Sequence, residues 1–223
     1  MQKNTLIFIG NDAGFGNKNN SAYFEIDNEL FIVDCGFSVF NEIKNKFDFN
    51  KYREINIIIT HLHNDHAGSL SQTILYLWFI YGKKTNIVSN CLNIRKYLEI
   101  TGTPSASYEI KNSLENLKFI KTRHTDYLDA YGFVMNVGDR KILYTGDTCT
   151  LDPFLPYIYD IDELYIDVSK FGGAHLKVDD ILDDLKKIKE HKVRIIPMHM
   201  DDKEYIENII NELSWFDIND KLC

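Results

Sequence analysis

Residues 55–68 read Ile55-Asn56-Ile57-Ile58-Ile59-Thr60-His61-Leu62-His63-Asn64-Asp65-His66-Ala67-Gly68. The first five form an apolar run of strand length, apolar enough to predict a strand covered on both faces. The next stretch packs three of the seven histidines and one aspartate into the six positions from His61 to His66. Imidazole and carboxylate are ligand types that suit zinc and similar divalent ions. A single histidine is more often a structural or solvated residue than a ligand. A cluster this dense at the mouth of a buried strand points instead to a metal site, so the rest of the chain must be searched for the missing ligands.

Working outward, Leu6–Ile9 reads as a first strand, and 23–26 with 30–33 as a hairpin around Asp27-Asn28. A short helix is expected over 38–47. Beyond the cluster, 70–81 reads as a buried helix, Ile87-Val88 as a short strand, and 91–100 as a helix anchored by Leu92, Tyr97 and Leu98. Residues 101–113 read as a polar loop and 117–122 as a strand leading to Arg123-His124. Tyr131–Val137 and Lys141–Tyr144 flank the turn Gly138-Asp139, a strong hairpin signal. Leu164–Val168 is a strand, and 179–190 carries Ile181, Leu182, Leu185 and Ile188 at helical spacing behind an acidic first turn. A strand over 193–196 precedes Pro197-Met198-His199, and a last helix is expected over 203–213. The aromatics Tyr76, Trp78, Phe79 and Tyr81 read as core. No linker, repeat or low-complexity tract divides residues 1–223, so one domain of stacked sheet and helix layers is expected.

The formal charge is −8 over 223 residues. That balance argues against a stable nucleic-acid partner or an anionic membrane surface, both of which reward clustered positive charge. It leaves room for a small phosphorylated substrate, since a metal ion can dominate the local field. Cys35, Cys91, Cys149 and Cys223 are widely spaced and read as reduced, mostly buried thiols. Residues 1–8 lack a signal-peptide core, and no apolar run approaches the roughly 18 residues of a membrane span. Cytoplasmic localisation is the expectation. Monomer and homodimer both stay open.

Asp34, His124, Asp147 and His199 each stand at the end of an apparent strand, where side chains from distant segments can converge. A dinuclear site needs two ligand sets and a carboxylate between them. His61, His63 and His124 can form one set, Asp65, His66 and His199 the other, with Asp147 bridging. Two ions roughly 3.5–4 Å apart would lower the pKa of a bound water and polarise the bond it attacks.

The order His61-x-His63-x-Asp65-His66, His124, Gly146-Asp147-Thr148, His199 resembles the metallo-β-lactamase superfamily over the whole chain. That resemblance implies an α/β architecture, a four-layer αββα sandwich of two mixed sheets with helices outside. It also implies that Asp34, in Val33-Asp34-Cys35-Gly36, supports the ligands from behind, and that Asp65 helps orient the nucleophile as well as binding metal. Phe8-Ile9-Gly10 with Asn20-Ser21, and Gly173-Ala174-His175-Leu176, are similar to the branch of ribonuclease Z and the cyclic-phosphate phosphodiesterases. By that likeness His175 is the general acid. Zinc is the metal expected, with manganese or iron also fitting the ligand types.

The long Gly/Pro-rich arm of ribonuclease Z has no counterpart here, which disfavours a tRNA 3′-processing endonuclease. The bridging position holds Asp147 rather than the cysteine common in the β-lactamases proper, and Cys149 is expected to point elsewhere. The 24 residues after His199 are too few for the extra helical domain of glyoxalase II. The flavodiiron oxidoreductases carry a glutamate where this chain has His63. The expected activity is therefore hydrolysis of a small phosphodiester or nucleotide-type substrate by a metal-bridging hydroxide. The alternatives are a lactone or thioester hydrolase and a non-catalytic metal-binding protein. Arg123, Lys170 and Lys177 are further cations near the motifs, and His191 reads as a solvated residue at a helix C-terminus.

Overall fold

The apolar runs are apolar on both faces because helices cover one face and a second sheet covers the other. The computed structural model describes residues 5–219. Its first sheet has the spatial order β1 (Ile7–Gly10), β2 (Ser21–Ile26), β3 (Glu29–Val33), β4 (Glu54–Ile58), β5 (Thr85–Val88), β6 (Tyr108–Lys111). Its first three strands are antiparallel, and β3 to β6 run parallel. The second sheet comprises β7 (Leu117–Lys121), β8 (Tyr131–Val137), β9 (Arg140–Tyr144), β10 (Glu163–Asp167) and β11 (Arg194–Met198). There β7 to β9 are antiparallel and β9 to β11 parallel, so both sheets are mixed.

Side-chain alternation sorts each strand between two cores. Leu30, Ile32, Ile55 and Ile57 pack outward with Val39 and Ile43 of α1 (Val39–Lys46) and Leu70 and Ile74 of α3 (Leu70–Tyr81). Leu98 of α4 (Ile94–Ile100) joins them, whereas the short α2 (Asn64–Ala67) belongs to the metal-ligand motif. Phe31, Val33 and Ile58 face the other way and meet Phe133, Tyr144, Tyr165 and Met198 of the second sheet. The outer face of that sheet, with Leu143, Leu164 and Ile166, packs on Leu185 and Ile188 of α5 (Leu182–Glu190) and Ile206 of α6 (Lys203–Asn219). Helix, sheet, sheet, helix is thus a direct consequence of two-faced apolar strands. Ile58 is fully buried between the sheets, and truncating it to alanine would cost roughly 2–5 kcal/mol.

Several expectations change. The segment 101–113 is not a loop throughout: it contains the edge strand β6. The helix expected from Cys91 begins at Ile94, and Leu92 is 83% exposed, so Ile94 with Leu98 supplies the buried face. The far end of α3 is not buried either, since Phe79 and Ile80 stand out in solvent. Helix 179–190 divides into a 3₁₀ turn, Val178–Ile181, and α5. Pro197 lies inside β11, which a sheet edge tolerates because one side of an edge strand needs no N–H donor. Cys223 lies outside the described residues. Among the described residues no helix is long and apolar enough to cross a membrane.

Candidate metal centre

The residues just beyond β3, β4, β7, β9 and β11 gather at one rim of the sandwich. Close backbone approaches make this possible. A Cβ on Gly36 would come within 1.9 Å of the Asp65 carbonyl oxygen, so only glycine lets the turn after Asp34 lie against α2. Gly146, at φ 57°, would clash with the Tyr131 carbonyl at 2.5 Å if it bore a side chain. That left-handed turn delivers Asp147 to the centre.

Two groups of ligand atoms, each within 4.8 Å of one another, account for the expected residues: His61, His63, His124 and Asp147, and Asp65, His66, Asp147 and His199; a third, Asp147, Asp167, His175 and His199, overlaps the second. All seven expected ligands are therefore brought together, with Asp147 common to both groups. In the first, His63 Nδ1 lies 2.9 Å from His61 Nε2 and 3.2 Å from His124 Nε2. Asp147 Oδ2 lies 3.7 Å from His61 Nε2 and 3.6 Å from both His124 Nε2 and His199 Nε2. In the second, Asp65 Oδ2 lies 3.1 Å from His199 Nε2 and 3.2 Å from His66 Nε2. His66 Nε2 is also 3.3 Å from Asp147 Oδ1, yet both atoms are buried without an aligned hydrogen-bond partner. Such atoms face a common point rather than each other, which is how lone pairs around a cation are arranged. The donor set of imidazoles plus carboxylates fits zinc, manganese or iron.

Behind the ligands sits a layer that orients them. Buried Asp34 accepts hydrogen bonds from His66 Nδ1 at 2.8 Å, from the Thr60 amide at 2.9 Å and from the Thr60 hydroxyl. A hydroxyl that donates to Asp34 can accept from His61 Nδ1, 3.1 Å away. Asp34 thus holds one histidine of each group, directly and through Thr60. His124 Nδ1 donates to the Ala174 carbonyl at 3.0 Å. Each bond fixes a tautomer and leaves Nε2 bare toward the centre.

Sequence reasoning passed over Asp167. It ends β10 fully buried, accepts from His175 Nδ1 at 2.8 Å and from the Thr148 amide at 2.9 Å, and lies 3.4 Å from His199 Nδ1. The signal was available: Ile166-Asp167 repeats the strand-ending aspartate of Val33-Asp34. His175 reaches the centre as expected, its ring 4.8 Å from that of His199. Arg123, Lys170 and Lys177 do not line the cavity over the centre, and Lys170 is paired with Asp202 at 2.7 Å. Cys149 joins no ligand group and lines a neighbouring groove whose wall includes His124. His191 caps α5, donating to the Lys187 carbonyl at 2.9 Å.

Electrostatics agree with a cation-ready site. Burial pushes His61 well below and His63 below the ordinary imidazole value, with neighbouring histidines adding to the effect, which favours the neutral rings that a metal requires. Burial also opposes charge on His199, but Asp147, the adjacent Asp167 carboxylate and the bond to Asp65 outweigh it and raise that pKa to about 10. His66 is raised well above its ordinary value against burial by Asp147 and Asp34. Asp147 is held well below the carboxylate range because His199, His66 and His61 overcome its burial. Divalent ions would replace the protons that these carboxylates attract.

The family model of the anti-Pycsar protein Apyc1 matches residues 4–98. The anti-Pycsar protein Apyc1 of Bacillus phage 010DV004 is 26% identical over 231 residues, covering 88% of this chain and 89% of that protein. Among solved structures, the metallo-β-lactamase fold protein YhfI from Bacillus subtilis superposes with TM-score 0.71 at 18% identity, covering 87% of this chain and 85% of that one. Human tRNase Z, short form, superposes with TM-score 0.67 at 16% identity, covering 87% and 92%. Two mixed sheets between helix layers, with ligand clusters at the strand ends of both, give this chain the metallo-β-lactamase fold.

Proposed function

We propose that this hydrolase fold serves a two-metal phosphodiesterase acting on a small phosphodiester. The observation that carries the reading is the His175–Asp167 pair beside the ligand groups. His175 Nδ1 is committed to Asp167, and its ring lines the same cavity of about 700 Å³ as His63, Asp65, His124, Asp147 and His199. Burial works to lower the His175 pKa, but the hydrogen bond and charge of Asp167 outweigh it and hold it above the ordinary imidazole value. That shift favours the protonated ring, whose Nε2–H can donate to a leaving group in the cavity. An alkoxide leaving a phosphodiester needs that proton, whereas a departing thiolate does not.

His61, His63 and His124 would hold one divalent ion, Asp65, His66 and His199 the other, with Asp147 between them. Such ions, when bound, would acidify a water nucleophile and neutralise the non-bridging phosphate oxygens. The chain's own part is to fix the ligands through Asp34, Thr60 and Asp167, and to deliver a proton from His175. The anti-Pycsar name of the phage relatives is compatible with this reading, and the acidic chain favours small substrates over nucleic-acid strands.

Zinc- or manganese-loaded protein should hydrolyse bis(p-nitrophenyl) phosphate and also a dialkyl diester. His175→Ala should slow the dialkyl diester by about 10²-fold or more and the aryl diester much less, because p-nitrophenolate leaves without a proton. Turnover of lactones or thioesters with none of either diester would overturn the assignment.

A further inference from the structure

Four phenylalanines stand largely exposed among the described residues, and three of them ring one cavity. Phe15 is fully exposed, Phe171 is 73% exposed and Phe37 is 55% exposed, and all three line the cavity that contains the metal ligands and His175. Exposed apolar side chains gathered at one mouth mark a binding surface rather than a packing residue. They come from three separate loops, and each loop is fastened. The Phe37 amide donates to the Asn64 carbonyl at 3.2 Å, one residue from the ligand Asp65. The Phe15 loop is tied by Ala13 N to Met200 O at 3.0 Å and by Gly16 N to Ala13 O at 2.8 Å. The amides of Phe171 and Gly172 donate to Ser169 Oγ at 2.9 and 2.8 Å, and Ser169 itself is bonded to Asp201. The rings are thus presented from anchored backbone at the entrance to the metal centre.

The same lining contains no lysine or arginine. A substrate with several phosphates would need fixed cations beyond the centre; Lys170 Nζ, 5.6 Å from the Phe171 ring centroid, is paired with Asp202 at 2.7 Å and does not line the cavity. The occupant that matches is one phosphodiester charge at the metals joined to an uncharged, flat group at the rim.

Building on the phosphodiesterase reading above, we propose that Phe15, Phe37 and Phe171 determine specificity by stacking on the nucleobase-type ring of a singly charged, mononucleotide-sized phosphodiester. Aromatic faces grip such rings without reading their edges, and one stacked ring is worth about tenfold or more in affinity.

The test compares adenosine 3′,5′-cyclic monophosphate with its abasic 1-O-methylribose analogue, using metal-loaded protein and phosphorus NMR to follow ring opening. The wild type should prefer the nucleotide by about tenfold or more in kcat/KM, mostly through KM. Phe15→Ala/Phe37→Ala/Phe171→Ala should erase that preference while leaving metal content and turnover of the abasic ester within about twofold. These side chains are exposed, so removing them takes little from the core; Phe→Tyr replacements, which keep the ring face, should retain the preference. Phe→Leu replacements that retain it as fully as tyrosine overturn stacking. Equal turnover of both esters by the wild type overturns the aromatic selection alone. Turnover of neither, by protein carrying its metals, overturns the phosphodiesterase reading and this proposal with it.

Discussion

His175 donates its Nδ1 proton to Oδ2 of Asp167 across 2.8 Å, while Oδ1 of the same carboxylate lies 3.4 Å from Nδ1 of His199. One buried side chain therefore lies against both a candidate metal ligand and the proposed proton donor. Asp167→Asn keeps the shape but removes the charge. The kcat for a dialkyl diester should fall about 10- to 100-fold. The sign of the pH effect follows from the wild type, where Asp167 holds the His175 pKa up. Without the carboxylate that pKa drops, the protonated acid is lost sooner, and the alkaline limb of the kcat–pH profile moves to lower pH. An alkaline limb that stays in place would remove His175 from the role of acid.

Asp147 belongs to both ligand groups and reaches four histidines within 3.3–3.7 Å. Asp147→Ala should lower the metal content measured by native mass spectrometry and reduce kcat by about 10³-fold, since a shared ligand to two ions is lost. A variant that holds both metals at wild-type affinity would show that Asp147 does not bridge.

Asp34 occupies φ 59°, where asparagine is better tolerated than alanine. Asp34→Asn should therefore fold, yet it loses the charge that orients His66 and, through Thr60, His61. Metal affinity should weaken about 10- to 100-fold in a chelator competition. Affinity unchanged within twofold would mean that the carboxylate acts only as a turn residue.

Burial pushes the thiols of Cys35 and Cys91 up to about 11 each, and Cys35 is also held between Ser69 and Thr73 at 3.4 and 3.2 Å. Thiolate is the reactive form, so below pH 8 both should resist iodoacetamide while the half-buried Cys149 is alkylated in the folded protein. Peptide mapping reads this directly. Because the folded thiols keep their protons above the unfolded value, their contribution to stability is present at neutral pH and fades as pH rises through about 11.

The residues that converge at the candidate centre were legible because coordination chemistry demands particular side chains at close spacing, and His61 to His66 carry that spacing locally. His124, Asp147 and His199 were legible as strand ends. Asp167 was not, because it closes an apolar strand and its partners, His175 and His199, lie 8 and 32 residues further on. Strand β6 escaped because Glu109 and Lys111 flank Ile110 at a sheet edge, where half the side chains meet solvent. Leu92 was misplaced because α4 starts three residues later than the apolar spacing suggests, and Ile94 takes the inward position. The aromatic rim was invisible: Phe15, Phe37 and Phe171 are far apart in sequence, and only the fold draws their loops to one mouth.

Asp34, Gly146 and His199 all sit in left-handed backbone, at φ 59°, 57° and 54°. For the two non-glycine residues this conformation is unfavourable by roughly 1–2 kcal/mol, and it is held by bonds such as Asp34 N to Ile58 O at 2.8 Å and His199 N to Asn20 Oδ1 at 3.3 Å. The main chain has already aimed these side chains once the strands pair. The bonds that hold these turns are made by the chain itself and need no ion, unlike those of domains that fold only around their metal. A chelator should then strip the centre without unfolding the protein, and one divalent ion should exchange for another according to supply.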